Sequence, residues 1–565
     1  MTNTVLTLLD AKRLRENYAS GFWGDDTIYR VAKSHAERAP WMFALRDRYR
    51  RISYGELLAS ADRLAADLES RGLRAGQRVA VWVPSRIETA VALLACSRNG
   101  YVCCPSLHRD HRVADVAGLC ERMRAAALVH EAGYGADACE RDLVVEAGSL
   151  PQLRHIYRLE RLGPQEGGAF PGLPEAANAM SEPAHKADPN GVVYLAFTSG
   201  TTGLPKGVMH SDNTLLANAR AIAADWGLDA GTVIYTMSPL SHNLGFGAMV
   251  TALSIGGELV VHDLPKGAPL LDRLVETGAT FLFGVPTHAI DLLGELRQRG
   301  LTGLGDVKGF RISGASAPQE VVAELLRYGV VPQSGYGMTE AGSHHYTLPT
   351  DSPERIVETS GKACPGYEIK IWSHDNPDVE APAGEIGQIG GRGASLMLGY
   401  FDDQAATEDS FNAHGWFMTG DLGWLDEAGY LRVTGRKKDL IIRGGHNIYP
   451  ARIENLAMQH PAVERAAALP VPDARLGEKV CLAVMLRSGA TVSPEDLLEH
   501  LDASGLSRYD MPEYFLDLDE IPLTASGKIL KRDLVASVHE GRLQPTPIRW
   551  QPGQPHGRRG SAGTR

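Results

Sequence analysis

The sequence predicts an α/β protein in which a large N-terminal domain of layered α/β subdomains and a β-rich region precedes a small α+β C-terminal domain. Two observations support this prediction. Strand-like apolar runs alternate with helical segments through residues 53–285, and after residue 365 the pattern changes to short runs in which apolar residues alternate with polar or small ones. A chain of 565 residues is also too long for one ordinary domain.

The first helix and strand follow directly from residue spacing. Ser53 with Glu56 three residues later forms a capping box, and apolar residues then recur at helical spacing until Gly72. Residues 79–83 are a β-branched apolar run typical of a buried strand. Further segments of these two kinds are 88–96 (helix), 125–130 and 282–285 (strands). This alternation predicts mostly parallel sheets covered by helices.

The second half of the chain predicts different architecture. Residues 367–372, 385–391 and 430–434 have the alternation of an antiparallel β region, and 163–190 have the composition of a surface loop. From about residue 440 a strand pattern at 480–486 and a helix capped by Ser493 indicate a compact last domain. The predicted boundaries are 1–438 for the N-terminal domain, 439–545 for the small C-terminal domain and 546–565 for a disordered tail.

Composition excludes several classes of protein. With 44% hydrophobic and 22% charged residues the chain resembles a globular protein, and its net charge of −11 argues against nucleic acid or an anionic membrane as partner. The seven cysteines form no C-x-x-C pair, so neither a zinc site nor a disulfide scaffold is indicated. We expect free thiols in a reducing cytosol, no signal peptide and a cytoplasmic location.

One long stretch of the chain, residues 230–257, contains no charged residue. It contains Pro239, Ser241, His242 and Asn243 together with several glycines, which a lipid-facing helix tolerates poorly. The sequence therefore predicts the buried wall of a substrate channel there and no membrane span.

A Gly/Ser/Thr-rich loop follows the apolar run 192–197 and ends in Lys206. Glycines let backbone N–H groups approach phosphate oxygens, hydroxyls add donors and the lysine adds positive charge. Pro205 precedes the lysine, so this is not a Walker A loop, and alone such a loop is more often an ordinary turn. The candidate phosphate contacts are Thr198, Ser199, Gly200, Thr201, Thr202, Gly203 and Lys206.

The complete ten-residue string 198–207 resembles the phosphate-binding loop of the adenylate-forming (AMP-binding) superfamily, which includes acyl-CoA synthetases and aryl-acid–AMP ligases. Four more segments, in the same order along the chain, are similar to that family's motifs: 335–340, 419–421, 435–441 and 522–529. A single T-G-D or basic cluster has a trivial explanation, but five ordered motifs do not. The resemblance covers about residues 30–545 and implies ATP, Mg²⁺ and coenzyme A as cofactor and co-substrates.

The resemblance also implies roles for individual residues. Tyr336 lies by the adenine, Thr339 meets phosphate and Glu340 holds Mg²⁺. By the same resemblance, Asp421 and Arg436 bind the ribose, and Asp439 is the hinge about which a mobile C-terminal domain, residues 439–545, swings. Lys528 is the catalytic lysine that reaches the carboxylate and α-phosphate. Other implied nucleotide or coenzyme contacts are Gly314, Ala315, Gly335, Gly337, Met338 and Gly445, the last beside the pantetheine arm.

The chemistry explains why these residue types are needed. A carboxylate and a triphosphate repel each other, so the barrier to adenylation is electrostatic and orientational. Lys528 can neutralise charge developing between the reacting groups, and Glu340 can place the metal. No side-chain nucleophile is required, and no Ser-His-Asp or Cys-His constellation is evident.

One segment of the sequence bears on which carboxylic acid is activated. By resemblance, the segment 239–243 lines the acyl site, and the His242-Asn243 pair is similar to that of aryl-acid ligases, which favours an aromatic or cyclic acid. Phe246, Gly314 and Gly335 are further candidate substrate contacts, and His242 is a fourth catalytic candidate beside Lys528, Thr339 and Glu340. An alternative is that His242 and Asn243 are hydrogen-bonded core residues.

Two neighbouring histidines, His344 and His345, are expected in a polar loop near the pocket mouth, with a metal or substrate contact as the alternative.

The predicted function is ATP-dependent activation of a carboxylic acid to acyl-AMP with release of pyrophosphate, followed by transfer to the thiol of coenzyme A. One alternative keeps the adenylation but loads a carrier protein or uses an unconventional nucleophile. The other is a non-catalytic nucleotide- or acyl-binding protein, which should have lost residues such as Lys528, Glu340, Asp421 or Arg436. All four are present.

Overall fold

A computed structural model describes residues 5–164, 169–170, 173, 186–198, 205–265, 267–314, 317–523 and 529–550. The chain divides into two compact units. The larger one extends to Val433 apart from Gly420–Leu422, and the smaller one begins at Thr434. The predicted class, a large α/β N-terminal domain and a small C-terminal domain, is confirmed, while the boundaries at 438 and 545 remain predictions.

The α-helices, numbered α1 to α16, are Ala11–Ala19, Ile28–Arg38, Tyr54–Ser70, Ile87–Asn99, Val113–Arg122, Leu143–Ala147, Asp212–Trp226, Asn243–Ile255, Leu270–Thr277, Pro286–Arg299, Gln319–Arg327, Pro353–Glu358, Gln404–Asp409, Pro450–Met458, Pro494–Ala503 and Lys531–His539. A 3₁₀ turn, Lys437–Asp439, follows the last strand of the β-rich region.

The strands, numbered β1 to β25, are Phe43–Arg46, Arg51–Ser53, Arg78–Trp82, Val102–Cys104, Ala125–Glu131, His155–Leu159, Val192–Thr198, Lys206–Ser211, Val233–Thr236, Glu258–Val261, Phe281–Gly284, Gly309–Ser313, Val331–Met338, Gly342–Tyr346, Lys362–Ala363, Tyr367–Trp372, Gly387–Gly393, Phe417–Leu425, Leu431–Arg436, Ile441–Arg443, His446–Ile448, Val463–Asp473, Gly477–Leu486, Tyr514–Asp517 and Thr546–Pro547.

Two mostly parallel sheets form the larger unit. The first has the strand order β15-β14-β13-β12-β11-β9-β10-β1-β2 and the second β6-β5-β3-β4-β7-β8. In the first sheet the pairs from β1 through β13 are parallel except β1 with β2, and β14 turns back antiparallel to β13. The parallel layering predicted from helix–strand alternation is therefore correct.

The β-rich region and the smaller unit have their own sheets. Strands β16-β17-β18-β19 form a four-stranded sheet, in which β16 and β17 pair antiparallel as predicted. In the smaller unit β21-β20-β23-β24-β25 form one sheet, and β22 pairs along nearly the whole of β23. Thr546 of the segment assigned to the tail pairs with Phe515 in this sheet, while residues 551–565 lie outside the described part, as does most of 163–190.

Local predictions hold at the element level. Ser53 caps α3 in a capping box with Glu56, and Ser493 caps α15. The uncharged stretch forms β9 and α8, and α8 is buried over most of its length, from Leu244 to Leu253, because its side chains are apolar on nearly all sides. Among the described residues, no helix combines the length and apolar character needed to cross a membrane.

Candidate active site

The turn between β13 and β14 carries Thr339 and Glu340. The two strands form a tight hairpin in which the Ala341 N–H donates to the Met338 carbonyl at 3.2 Å, and Gly342 adopts a φ of +66°. A Cβ at Gly337 would lie 2.2 Å from the Gly342 carbonyl oxygen, so the hairpin itself requires glycine there. The turn follows β13, beside the carboxyl end of β12, which is where open α/β sheets place ligands.

Glu340 is held at both its ends. Its Oε1 accepts a hydrogen bond from the Tyr400 hydroxyl at 2.9 Å, and its backbone carbonyl accepts from the Met397 N–H at 2.7 Å. The Ser395 hydroxyl donates to the next carbonyl, that of Ala341, at 2.9 Å. The carboxylate is half-buried, and the hydrogen bond from Tyr400 orients it. Carboxylate oxygens are ligands that Mg²⁺ accepts.

Lys206 lies on the other side of the same tyrosine. Its Nζ is 4.7 Å from the centroid of the Tyr400 ring, and the Thr198 hydroxyl donates to the Lys206 carbonyl at 3.4 Å. Burial, followed by the charge of Glu340, raises the pKa of Tyr400, so its hydroxyl stays a donor. Residues 199–204 of the predicted phosphate loop, between Thr198 and Lys206 in sequence, lie outside the described part of the chain.

The segment 395–401 joins these two places through the backbone. Leu398 N–H donates to the Met209 carbonyl at 2.8 Å, and the Met209 N–H donates back to Gly399 at 3.1 Å. Phe401 N–H donates to the Gly207 carbonyl at 2.6 Å. Strand β8, which Lys206 begins, and the Glu340 turn are therefore bonded to one short segment.

His210 fixes the turn from beneath, and sequence reasoning missed it. The ring is fully buried, its Nε2 lies 2.7 Å from the Thr339 carbonyl oxygen and its Nδ1 lies 3.0 Å from the Thr214 hydroxyl. A carbonyl only accepts, so Nε2 carries the proton. Burial lowers the pKa of His210 to about 4, which keeps the ring neutral. Tyr400 was also missed, since nothing in a lone aromatic residue signals its partner.

A cleft between α7 and α8 adjoins the turn. His242 caps α8 by accepting from the Leu244 N–H at 3.3 Å, and the Asn243 side-chain amide donates to the Met338 carbonyl at 3.3 Å. Including its open mouth the cleft measures about 470 Å³, and the centre of a water-sized sphere can occupy about 30 Å³ of it. Its walls are His210, Thr214, Leu215, Asn218, Ala219, Ile222, Asn243, Leu244, Phe246, Gly247, Val250, Phe283, Gly342, Ser343 and Ser395.

The two glycines of α8 have different surroundings. A Cβ at Gly245 would lie 2.3 Å from the Pro239 carbonyl oxygen, whereas a Cβ at Gly247 would meet nothing within 4 Å. Phe246 between them is fully buried and stacks on Tyr194 with ring centroids 4.0 Å apart. Gly247 therefore faces open space at the cleft, while Gly245 permits close packing.

The other predicted contacts fall into two groups. At the end of β12, Gly314 has a φ of +96°, and the Ser313 hydroxyl donates to the Gly335 carbonyl at 3.1 Å. Tyr336 packs edge-on against His344, with centroids 5.0 Å apart. Ala315 lies outside the described residues.

In the second group, Arg436 Nε lies 3.4 Å from Asp421 Oδ1, with Asp421 mostly buried and Arg436 about half exposed. Asp439 ends the 3₁₀ turn after β19. Gly445 has a φ of +87° and open space around its Cβ position in the β20–β21 turn. Lys528 is outside the described residues.

The expectation for the neighbouring histidines was wrong. His344 and His345 are not in an exposed loop but fully buried in β14, where their Nδ1 atoms lie 2.7 Å apart. The His344 ring stacks on Tyr367 at 4.4 Å. Burial lowers the pKa of both histidines. Within the described ranges no group of three or more His, Cys, Asp or Glu residues could hold a metal ion.

ATP with Mg²⁺ fits the described residues. A single oriented carboxylate, Glu340, suits Mg²⁺, which is commonly bound through one or two carboxylates together with phosphate oxygens. Lys206 supplies a cation near it, across Tyr400. When bound, the metal would draw charge toward the pyrophosphate leaving group.

Comparison with known proteins agrees with this site. The family model of the AMP-binding enzymes matches residues 32–401, and that of the AMP-binding enzyme C-terminal domain matches 452–528. The chain is 31% identical over 537 residues to a medium-chain fatty-acid–CoA ligase of Escherichia coli, covering 94% of both chains. It is 31% identical over 545 residues to a salicyl-AMP ligase / salicyl-S-ArCP synthetase of Mycobacterium tuberculosis, covering 93% of both. The ATP-bound MatB structure from Rhodopseudomonas palustris superposes with a TM-score of 0.79 at 28% identity, covering 91% of this chain and 99% of that one.

The fold and site thus define a nucleotide-dependent ligase with a large and a small domain. The chain belongs to the AMP-binding enzyme family and is an AMP-forming acid–thiol ligase that uses ATP, Mg²⁺ and coenzyme A.

Proposed function

We propose that this ligase activates an aromatic or alicyclic carboxylic acid and transfers the acyl group to coenzyme A. The observation that carries the proposal is the cleft between α7 and α8, which opens beside the Glu340 turn. Its free space is small and most of its wall residues are apolar, while the polar ones are His210, Thr214, Asn218, Asn243, Ser343 and Ser395. A single ring needs less displacement of these walls than an extended alkyl chain does, and a salicyl-AMP ligase is among the relatives.

The roles of the site residues belong to the same proposal. The loop 198–206 would hold the β- and γ-phosphates, Thr339 would contact phosphate and Glu340 would hold Mg²⁺. Asp421 with Arg436 would bind the ribose, which their proximity supports because a fixed carboxylate can accept from both hydroxyls of a diol.

The hinge and pantetheine roles have local support. The 3₁₀ turn that ends at Asp439 connects β19 to β20, and hinge residues are usually a few positions in loops or at the ends of elements. The open backbone around Gly445 suits the passage of a narrow pantetheine arm. The described cysteines are all unpaired, which is in keeping with a cytoplasmic location.

A carrier protein is the second candidate acceptor, and the relative that is a salicyl-S-ArCP synthetase favours it specifically. Both acceptors would present a thiol to the same acyl-AMP. They differ in whether the acyl-AMP is consumed by free coenzyme A.

The decisive experiment incubates the enzyme with ATP, Mg²⁺ and a panel of aryl, alicyclic and straight-chain acids, with and without coenzyme A, and identifies the products by mass spectrometry. We expect a ring-containing acyl-CoA with an equal amount of AMP. An acyl-AMP that persists in the presence of coenzyme A would favour the carrier protein instead. Activation of hexanoate or octanoate alone would contradict the ring-acid proposal.

A further inference from the structure

A buried arginine lies beneath the candidate acid site. Arg311 is on β12, two residues before Ser313, and its side chain is fully buried. Its guanidinium is tucked beside the next strand, where a Cβ at Gly335 would lie 2.8 Å from Nη2. Gly335 is one of the proposed substrate contacts, so the cation sits directly below that wall.

The strand register places Arg311 on the cleft side of the sheet. Phe283 of β11 and Gln333 of β13 are its register partners on the two neighbouring strands. Residues paired in this way present their side chains to the same face of a sheet. Phe283 lines the cleft, so all three side chains lie on the face that forms its floor.

Several N–H groups of Arg311 and Gln333 make no hydrogen bond within the described residues. Arg311 Nη1 donates to Gln333 Oε1, but within the described residues neither Nε nor Nη2 of Arg311 has an acceptor, and neither does Nε2 of Gln333. Buried donors without acceptors are rare and costly in folded proteins. All three groups are N–H donors, so they are complementary to an oxygen that only accepts.

The positive charge also lacks a counter-ion. In the part of the chain that the structure describes, no carboxylate forms an ion pair with Arg311, and the nearest charge partners that raise its pKa are Tyr346 and Cys364. Burial lowers that pKa to about 10, so the guanidinium is still a cation at neutral pH. The Tyr346 ring lies 5.3 Å from it, and the Tyr346 hydroxyl already donates to Asp225.

We propose that the acid carries a second oxygen acceptor, best a carboxylate, at the end remote from the reacting group, and that Arg311 with Gln333 binds it at the floor of the cleft. This rests on the proposed function, since it requires the acid to enter between α7 and α8. It narrows the substrate class from ring acids to ring acids with a distal anionic or carbonyl oxygen. Arg311 is then a specificity residue, because guanidinium and carboxylate pair through parallel hydrogen bonds.

The test compares acids of matched size: terephthalate, which has the distal carboxylate, and p-toluate, which has a methyl group there. Wild-type enzyme should show a kcat/KM at least about 10-fold higher for terephthalate. Arg311→Met should lower kcat/KM for terephthalate at least about 30-fold, as removal of one partner of a buried charge pair does, and leave p-toluate within about 3-fold. Arg297→Met, at a half-exposed arginine of α10 that pairs with Glu324 of α11, should leave both values unchanged.

The outcomes separate this inference from the proposed function. Equal loss for both acids in Arg311→Met would show a purely structural role and overturn it. If thermal denaturation shows that Arg311→Met does not fold, the wild-type enzyme alone still tests the inference. Equal kcat/KM values for p-toluate and terephthalate would refute a distal oxygen acceptor on the substrate. Activation of neither ring acid, with hexanoate accepted, would instead refute the proposed function.

Discussion

At the scale of single residues, Tyr400 is the feature that links the two charged groups of the candidate nucleotide site. Its hydroxyl donates to Glu340 and its ring faces the Lys206 ammonium. None of the five sequence motifs contains Tyr400. Its hydroxyl orients the Glu340 carboxylate, which has two rotatable bonds beyond its Cβ. A partner that orients a metal-binding carboxylate typically contributes to metal affinity without touching the metal.

We predict that Tyr400→Phe raises the Mg²⁺ concentration needed for half-maximal pyrophosphate release by about 10-fold, because the carboxylate loses its orienting hydrogen bond. A Mg²⁺ titration at saturating ATP measures this. Tyr430→Phe is the matched control, since it removes a hydrogen bond from a tyrosine to the Asp351 carboxylate elsewhere in the larger unit. An unchanged Mg²⁺ requirement in Tyr400→Phe would contradict the role given to Glu340.

The catalytic lysine has a separate prediction. Lys528→Ala should slow formation of acyl-AMP by about 100-fold or more, because one charge-stabilising donor is lost from the adenylation step. Transfer from supplied acyl-AMP to coenzyme A should be much less affected. The two half-reactions can be followed separately by pyrophosphate release and by thioester formation, and an equal loss in both would refute this division of labour.

Residue-scale features were predictable only where they are local in sequence. The Ser53 cap is such a signal, and its capping box with Glu56 is confirmed. The glycine-rich loop and the 335–340 motif are equally local in sequence, and their roles stay predictions. Arg311 and His210 depend on what is placed against them by the sheet, across 22 and 129 residues of chain. The sequence shows that Arg311 follows Phe310 in a strand. It does not show that neighbouring strands and helices bury the Arg311 side chain completely.

At the scale of elements, α8 combines two glycines with opposite functions. An internal glycine lowers helix stability relative to alanine, so each needs a reason. Gly245 has one in the carbonyl groups of Ser238 and Pro239, which lie within 2.4 Å of where its Cβ would be. Packing gives no such reason at Gly247, where a Cβ would meet nothing within 4 Å. The glycine there is consistent with space reserved for the acid.

The two positions should therefore respond differently to alanine. Gly245→Ala should lower the free energy of unfolding by about 1–3 kcal/mol through overpacking, and Gly247→Ala should raise it by up to about 1 kcal/mol through helix propensity. Urea denaturation of both variants checks the signs. The larger Gly247→Leu should also lower kcat/KM for ring acids while sparing acetate, and equal activity on benzoate would show that the cleft is not the acid site.

The elements themselves were largely predictable. Helix α15 and strand β16 begin and end close to their expected positions, because capping residues and alternation are signals within ten residues. His344 and His345 were misplaced for the opposite reason. Two adjacent histidines look polar, yet neutral imidazoles can be buried when stacked, as His344 is on Tyr367.

At the scale of the whole molecule, buried histidines make stability depend on pH. Burial lowers the pKa of His108, His210 and His288 to about 4 each. In the unfolded chain these groups titrate near 6.5. As the pH falls from 6.5 toward 4, the unfolded chain takes up protons that the folded chain refuses, so the free energy of unfolding decreases through that window.

This dependence can be assigned to one residue. His210→Gln should reduce the slope of the unfolding free energy against pH by up to about 1.4 kcal/mol per pH unit between 6.5 and 4, the value for one proton. Urea denaturation at a series of pH values measures it. His539→Gln, at an exposed position, is the control and should leave the slope unchanged. A slope unaltered in His210→Gln would mean that this imidazole takes up its proton as readily in the folded chain as in the unfolded chain.

The backbone bonds of residues 395–401 have a consequence for how the chain can change in length. The same seven residues hold strand β8 at Gly207 and Met209 and the Glu340 turn at its carbonyl. An inserted residue there would shift one set of bonds against the other, separating the lysine from the glutamate although every recognisable motif stayed intact. Insertions within this segment should therefore not be tolerated, which makes it a part of the candidate nucleotide site whose length is constrained more tightly than its composition.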